Sequence, residues 1–229
     1  LKTVQILDEL EIARPCIDME TIGYNIEWSQ ELRIPQSLTE YVKSAMLIEL
    51  LRNWEPLAGH IGPDPGPHVF DMSVGYDLAG ISSPEVGVFL KGMRDATAEI
   101  AALRPEIATA AGGAFASLSD LAFDSQISDT LTLSTFHGCP PDEIESITKY
   151  LIDEHDLDVI VKLNPTLLGY DQVADVVNDQ LGYSDVSVKA SAFDEDLQFE
   201  RGIELIGELN QYAKDRGRRF GIKLTNALV

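Results

Sequence analysis

Lysine is a costly residue to place in a strand, yet four strand-like runs of this sequence carry one at or near an end. They are Leu1-Lys2-Thr3, Val161-Lys162-Leu163-Asn164-Pro165-Thr166, Val188-Lys189-Ala190-Ser191 and Ile222-Lys223-Leu224-Thr225-Asn226. Buried lysine is nearly always paired. Side chains alternate along a strand, so Ile160, Lys162 and Asn164 share one face while Val159, Val161 and Leu163 share the other. If the apolar face meets helices, Lys162 and Asn164 point into the interior of a barrel near its C-terminal mouth, where barrel active sites lie. Several ammonium groups at one rim call for an anion: a phosphate, a carboxylate or a negatively charged reduced cofactor. Salt bridges to buried carboxylates, or lysines that reach back to solvent, are the alternative.

A second constellation is Thr132-Leu133-Ser134-Thr135-Phe136-His137-Gly138-Cys139-Pro140-Pro141, which runs from a strand through a glycine turn onto a helix start. A helix N-terminus favours a thiolate. Cys139 is therefore a candidate nucleophile or proton donor, with His137 as a neighbouring donor or base. An inert, buried cysteine is the competing reading. Ser73 and Asp77, either side of Gly75, could hydrogen-bond a ligand at another strand end, where a plain turn is the alternative. The four histidines, at 60, 68, 137 and 155, form no i, i+4 pair and no H-E-x-x-H, so no metal site is expected.

The elements that must position these groups are legible in outline. Strands are expected near 1–7, 69–75, 130–136, 158–163, 186–190 and 219–225. Ser37-Leu38-Thr39-Glu40 reads as a capping box that opens a helix, ahead of the apolar stretch Tyr41 to Trp54. Ser83-Pro84-Glu85 opens a helix with Phe89, Met93, Ala96 and Ile100 on one face, and Pro140-Pro141-Asp142-Glu143 opens a third. Two more are expected near 171–181 and 196–216, while 12–36, 55–68 and 104–129 look irregular. Strand and helix in alternation mean parallel βαβ crossovers. The expected fold is α/β, a partial (β/α)8 TIM-type barrel truncated at both ends, formed as a single domain over 1–229; a doubly wound sheet is second. No G-x-G-x-x-G or Walker A sequence is present.

Composition bounds the function. Hydrophobic residues at 45% and charged residues at 24% describe a globular core rather than a disordered or fibrous chain. Seventeen Lys and Arg against 38 Asp and Glu give a net charge of −21, a surface that repels nucleic acid and anionic lipid. No apolar run is long enough to span a membrane, and no signal peptide is seen. Two cysteines, Cys16 and Cys139, make no disulfide framework, so a reducing, cytoplasmic location is expected. The strand-like runs at both ends read as an excised piece of a longer protein.

The segments Leu1–Asp8, Pro15–Asp18, Glu27–Ser29, Asp71–Tyr76, Leu131–Pro141, Val161–Tyr170 and Lys223–Asn226 together resemble the large flavoprotein family named for selenate reductase subunits. That resemblance covers nearly the whole chain. It implies a barrel similar to the FMN domain of dihydroorotate and dihydropyrimidine dehydrogenases, hence an oxidoreductase with a small-molecule substrate. FAD, NADPH and 4Fe–4S clusters would belong to other parts of the parent chain, with other modules or subunits as partners. Lys2 and Lys162 resemble the two flavin lysines of such barrels, and Thr225 with Asn226 resembles their Thr-Asn pair. Cys139 resembles the cysteine that gives a proton to the substrate. Thr3, Ser73, Asn164 and Lys223 complete the expected cofactor-binding set, with Cys139 and His137 as the catalytic pair. The piece by itself is expected to be inactive. The residues alone leave two other readings: an aldolase-like barrel with Lys162 or Lys223 as Schiff base, and a scaffold barrel without chemistry.

Overall fold

The computed structural model describes residues 17–18, 25–26, 32–61, 66, 68–135 and 138–224. The expected strand at 1–7, with Lys2 and Thr3, lies outside these residues, as do His137, Thr225 and Asn226. The chain divides into two compact units, Leu1–Met72 with Pro84–Asp129, and Ser73–Ser83 with Thr130–Val229. In chain order the elements are β1 (Ile17–Asp18), β2 (Asn25–Ile26), α1 (Ile34–Asn53), α2 (Glu55–Ile61), β3 (Met72–Val74), α3 (Leu78–Ile81), α4 (Pro84–Arg94) and α5 (Thr97–Leu103). There follow β4 (Thr130–Ser134), α6 (Pro141–His155), β5 (Asp158–Lys162), α7 (Tyr170–Ala174), α8 (Ser191–Glu195), α9 (Phe199–Asp215) and β6 (Phe220–Lys223).

The first unit is helical. Helix α1 begins at Ile34, about one turn before the start that a cap at Ser37 would give. Pro35 fits the first turn, where no N–H is needed, and the Gln36 side chain accepts the Arg33 N–H at 2.9 Å. Ser37 is therefore buried inside the helix and caps nothing. Leu38, Tyr41, Val42, Ala45, Met46 and Leu50 form its buried stripe at helical spacing. Helix α4 buries Val86, Phe89, Leu90 and Met93, with Tyr41 edge-on to Phe89 at 5.5 Å between ring centroids. The two helices approach so closely at Gly92 that an added Cβ would lie 2.6 Å from the Leu38 Cδ2 atom.

The single helix expected from 84 to 100 is broken. The Asp95 carboxylate takes the Thr97 hydroxyl at 2.6 Å and the Thr97 N–H at 3.1 Å, which ends one helix and starts α5. These hydrogen bonds hold Asp95 below its usual pKa. The stretch 55–68, expected to be irregular, opens with α2. Segment 104–129 contains only short 3-10 turns, braced by the Arg104 guanidinium on the Ser119 and Leu121 carbonyls at 2.8 and 3.0 Å.

The second unit carries the sheet. Its strand order is β3-β4-β5-β6, the order of the chain. Strands β4 and β5 are parallel, as are β5 and β6. A doubly wound sheet reverses its strand order part-way; this one does not, and a consecutive parallel series is what an arc of a barrel requires. Leu131, Leu133, Val159 and Val161 are buried on one face. Helix α6 packs on β5 and on α9, and α9 packs on β6. The expected strand at 186–190 does not form. Strands β5 and β6 pair directly, from Val159 opposite Phe220 to Lys162 opposite Lys223, and leave no slot between them. Val188 packs instead with Val173 and Phe193 in a small satellite cluster, so Lys189 sits at no strand end. The helix expected near 171–181 is α7 followed by a wider π turn over Asp175–Gln180.

Candidate functional site

The parallel register fixes the polar face of the sheet. Ser134, Lys162 and Lys223 occupy one row at the C-terminal ends of β4, β5 and β6. Two and four residues earlier on the same face stand Thr132 with Ile160 and Gly221, then Thr130 with Asp158. The two ends of this face treat charge differently. At the N-terminal end the Asp158 carboxylate accepts the Arg219 backbone N–H at 2.7 Å and its guanidinium at 2.6 Å. At the C-terminal end like charge stands beside like charge. Burial first, and then the neighbouring Lys223 ammonium, hold Lys162 below the usual lysine pKa. Lys162 is half-buried and Lys223 exposed.

Cys139 and Asn164 meet in a second cluster at the strand ends, around a residue the sequence reading did not select. Asp196 is 6% exposed. It accepts the Thr166 hydroxyl at 2.6 Å, the Gly138 N–H, and the Asn164 amide at 3.3 and 3.4 Å to its two oxygens. The Gln198 side chain braces this link through the Asp196 and Phe193 carbonyls at 2.9 and 2.7 Å. In the sequence Asp196 is one of four acids within 194–200. Nothing local separates it from the other three; the three-dimensional convergence of Gly138, Asn164 and Thr166 does. Thr135 ties the same region to β5 by donating to the Lys162 carbonyl at 3.1 Å.

Cys139 is 3% exposed and stands one residue before the Pro140 that caps α6. Gly138 supplies the left-handed turn ahead of it, with φ +79°. The thiolate expected from the helix N-terminus is not favoured here. Burial pushes the thiol up to about 12, with Glu143, Asp196 and Asp77 adding in that order. Neutral thiol is accordingly the form present near pH 7, which argues against a resting thiolate nucleophile and leaves a proton on the sulfur. Asp77 is occupied as the N-cap of α3, accepting from the Gly80 N–H at 2.8 Å, and Glu143 accepts the Leu78 N–H at 3.1 Å. The cavity beside Cys139, Asn164 and Asp196 is about 10 Å³, room for one water at most.

Of the expected site residues that are described, the structure brings Lys162 and Lys223 into one row, and Cys139 and Asn164 into one cluster. Ser73 is half-buried on β3, on the opposite face from Met72 and Val74. A larger cavity of about 380 Å³ in the first unit, lined among others by Met46, Glu49, Arg52, His68, Phe70 and Phe123, contains none of them.

The sequence matches the family described as "Oxidoreductase YgfK, N-terminal TIM-barrel domain" over residues 1–229. The chain belongs to that family. Its four consecutive parallel strands are accordingly part of a TIM-type barrel. YgfK of Escherichia coli strain K12 is 38% identical over 250 residues, which cover 100% of this chain and 23% of that protein. YgfK of Escherichia coli O157:H7 gives the same 38% identity and the same coverage. The chain thus spans 23% of the length of these curated relatives. No solved structure matches. Among the described residues, no helix is long and apolar enough to cross a membrane.

Proposed function

We propose that this domain is the flavin-binding barrel of a longer oxidoreductase that acts on a small unsaturated or oxidised molecule. The observation that carries the reading is the adjacency of Lys162 and Lys223 at the C-terminal strand ends of a chain with net charge −21. In so acidic a protein a basic neighbour is easily exchanged for an acidic one. Two cations kept side by side at a barrel's active-site rim suit an anionic group between or above them. The donor set therefore fits FMN, which when bound supplies the electron and hydride chemistry. Lys162 and Lys223 would hold it and stabilise negative charge on its ring. Cys139, kept neutral by its surroundings, would hold the proton that is delivered to substrate from its Sγ. Lys2, Thr3, Ser73, Asn164, Thr225 and Asn226 complete the proposed cofactor set, with His137 beside Cys139. FAD, NADPH and iron–sulfur clusters are assigned to the rest of the longer protein, and the isolated domain is expected to be inactive.

The test is the visible absorbance of the purified full-length protein, with and without Lys162→Met. A bound flavin that the variant loses, or whose reduction potential it shifts, supports the reading. Colourless protein, or a flavin indifferent to Lys162, overturns it.

One observation favours a second reading. A lysine held below its ordinary pKa beside another cation is also how a Schiff-base amine is kept unprotonated. In that case the Lys162 Nζ would attack a carbonyl carbon and water would leave. Borohydride would then fix a small keto acid to Lys162 as a stable secondary amine; no adduct would dismiss this alternative.

A further inference from the structure

We propose that Asp196 is the positioning residue of this site, tying the loop that carries Cys139 to the end of β5 that carries Lys162 and Asn164. The role rests on the reading of Cys139 as proton donor. Asp196 lies in neither segment. It reaches them from the link between α8 and α9, and Gly138, Asn164 and Thr166 all donate to it.

Three features separate this carboxylate from an ordinary buried acid. Its donors come from both sides of the site: Gly138 adjoins Cys139, while Asn164 and Thr166 follow Lys162 by two and four residues. A displacement of either segment would therefore break its hydrogen bond to Asp196, the group they share. Its carboxyl group acts on the Cys139 thiol together with those of Glu143 from α6 and Asp77 from the start of α3. Finally, its own backbone is fixed by Gln198, so the carboxylate presents a set position rather than a range of them. The arrangement matches what proton donation requires: a donor held still and kept protonated until a ligand arrives at the adjoining strand end.

Asp196→Asn in the full-length protein tests this. The replacement preserves shape. The Thr166 hydroxyl can turn to accept and the Asn164 amide can flip, while the new oxygen still takes the Gly138 N–H. The charge is lost, and one acceptor oxygen becomes a donor amide. The readout is the rate at which Cys139 attacks a small neutral disulfide at fixed, mildly alkaline pH, quantified on the Cys139 peptide by mass spectrometry. If the thiol pKa falls by about one unit, the tenfold gain in thiolate is tempered by weaker nucleophilicity to a rise of roughly threefold. Leu209→Ala is the control, since it loosens this unit without touching the cluster. A rise in Asp196→Asn larger than that in Leu209→Ala at matched loss of stability supports the role. An unchanged rate, or one that merely follows stability, overturns it. Should Asp196→Asn not fold, Thr166→Val keeps the charge and removes one anchor; faster labelling supports the role and an unchanged rate overturns it. The measurement needs neither flavin nor substrate. If Cys139→Ala leaves turnover intact, the proton-donor reading fails while the Asp196 result still stands.

Discussion

Leu209 is fully buried on α9, the helix that packs beneath β6 and against α6. Leu209→Ala removes three carbon atoms from that interface. At about 0.8 kcal/mol for each buried methylene-sized group, the lost transfer free energy is about 2.4 kcal/mol. The cavity left behind adds to this wherever the neighbours cannot close in, so a total of about 3 kcal/mol is expected, within the range seen for such truncations. Strand β6 carries Lys223, and its stability is drawn from the same interface. Hydrogen exchange in the full-length protein, followed by mass spectrometry on peptides from α9 and β6, reads this directly. For amides that exchange through opening of this unit, 3 kcal/mol is a rise of roughly a hundredfold. A rise below about threefold would mean that less than 1 kcal/mol was lost. The packing of α9 would then not be what holds β6 in place.

Lys223→Met removes the like charge beside Lys162 while keeping the apolar stem, and the Lys162 pKa should rise, as measured by NMR titration of its side-chain nitrogen. Because Lys162 holds its proton less tightly in the folded chain than in the unfolded one, stability should increase with pH as the value approaches 10.5 from below, and Lys223→Met should flatten that increase. The thiol acts in the opposite sense: the folded state keeps its proton between 9.0 and about 12, so stability falls with pH across that window, and Cys139→Ala should abolish the fall. In the full-length protein the same Cys139→Ala variant should retain its flavin and turn over more slowly, measured by steady-state kinetics. Gly92→Val should cost about 1–3 kcal/mol by overpacking against Leu38, measured by chemical denaturation.

The sequence exposed those parts of the fold whose causes are local. The strands near 69–75, 130–136, 158–163 and 219–225 hold β3, β4, β5 and β6 because apolar, β-branched runs bounded by Gly, Pro and Asn have few other stable states. The run 186–190 has the same local character and is no strand, because a strand also needs an unpaired neighbour and β5 offered its edge to β6. Asp95 carries no mark that says it will end one helix and start another; that depended on Thr97 two residues later. In the site, Lys162 and Lys223 were legible as cations at strand ends, since alternation along a strand is a local rule. Their adjacency was not, because it follows from sheet order. Asp196 was invisible for the same reason: its partners lie 30, 32 and 58 residues away.

Strands that neighbour one another in the order of the chain can be added singly as the polypeptide leaves the ribosome, each finding its edge already made. The long excursion from 163 to 219, with α7, α8 and α9, hangs between two strands that already touch. Its surface turns can therefore grow or shrink over evolutionary time without unzipping the sheet, provided the short stretch around Asp196 still returns to the same spot.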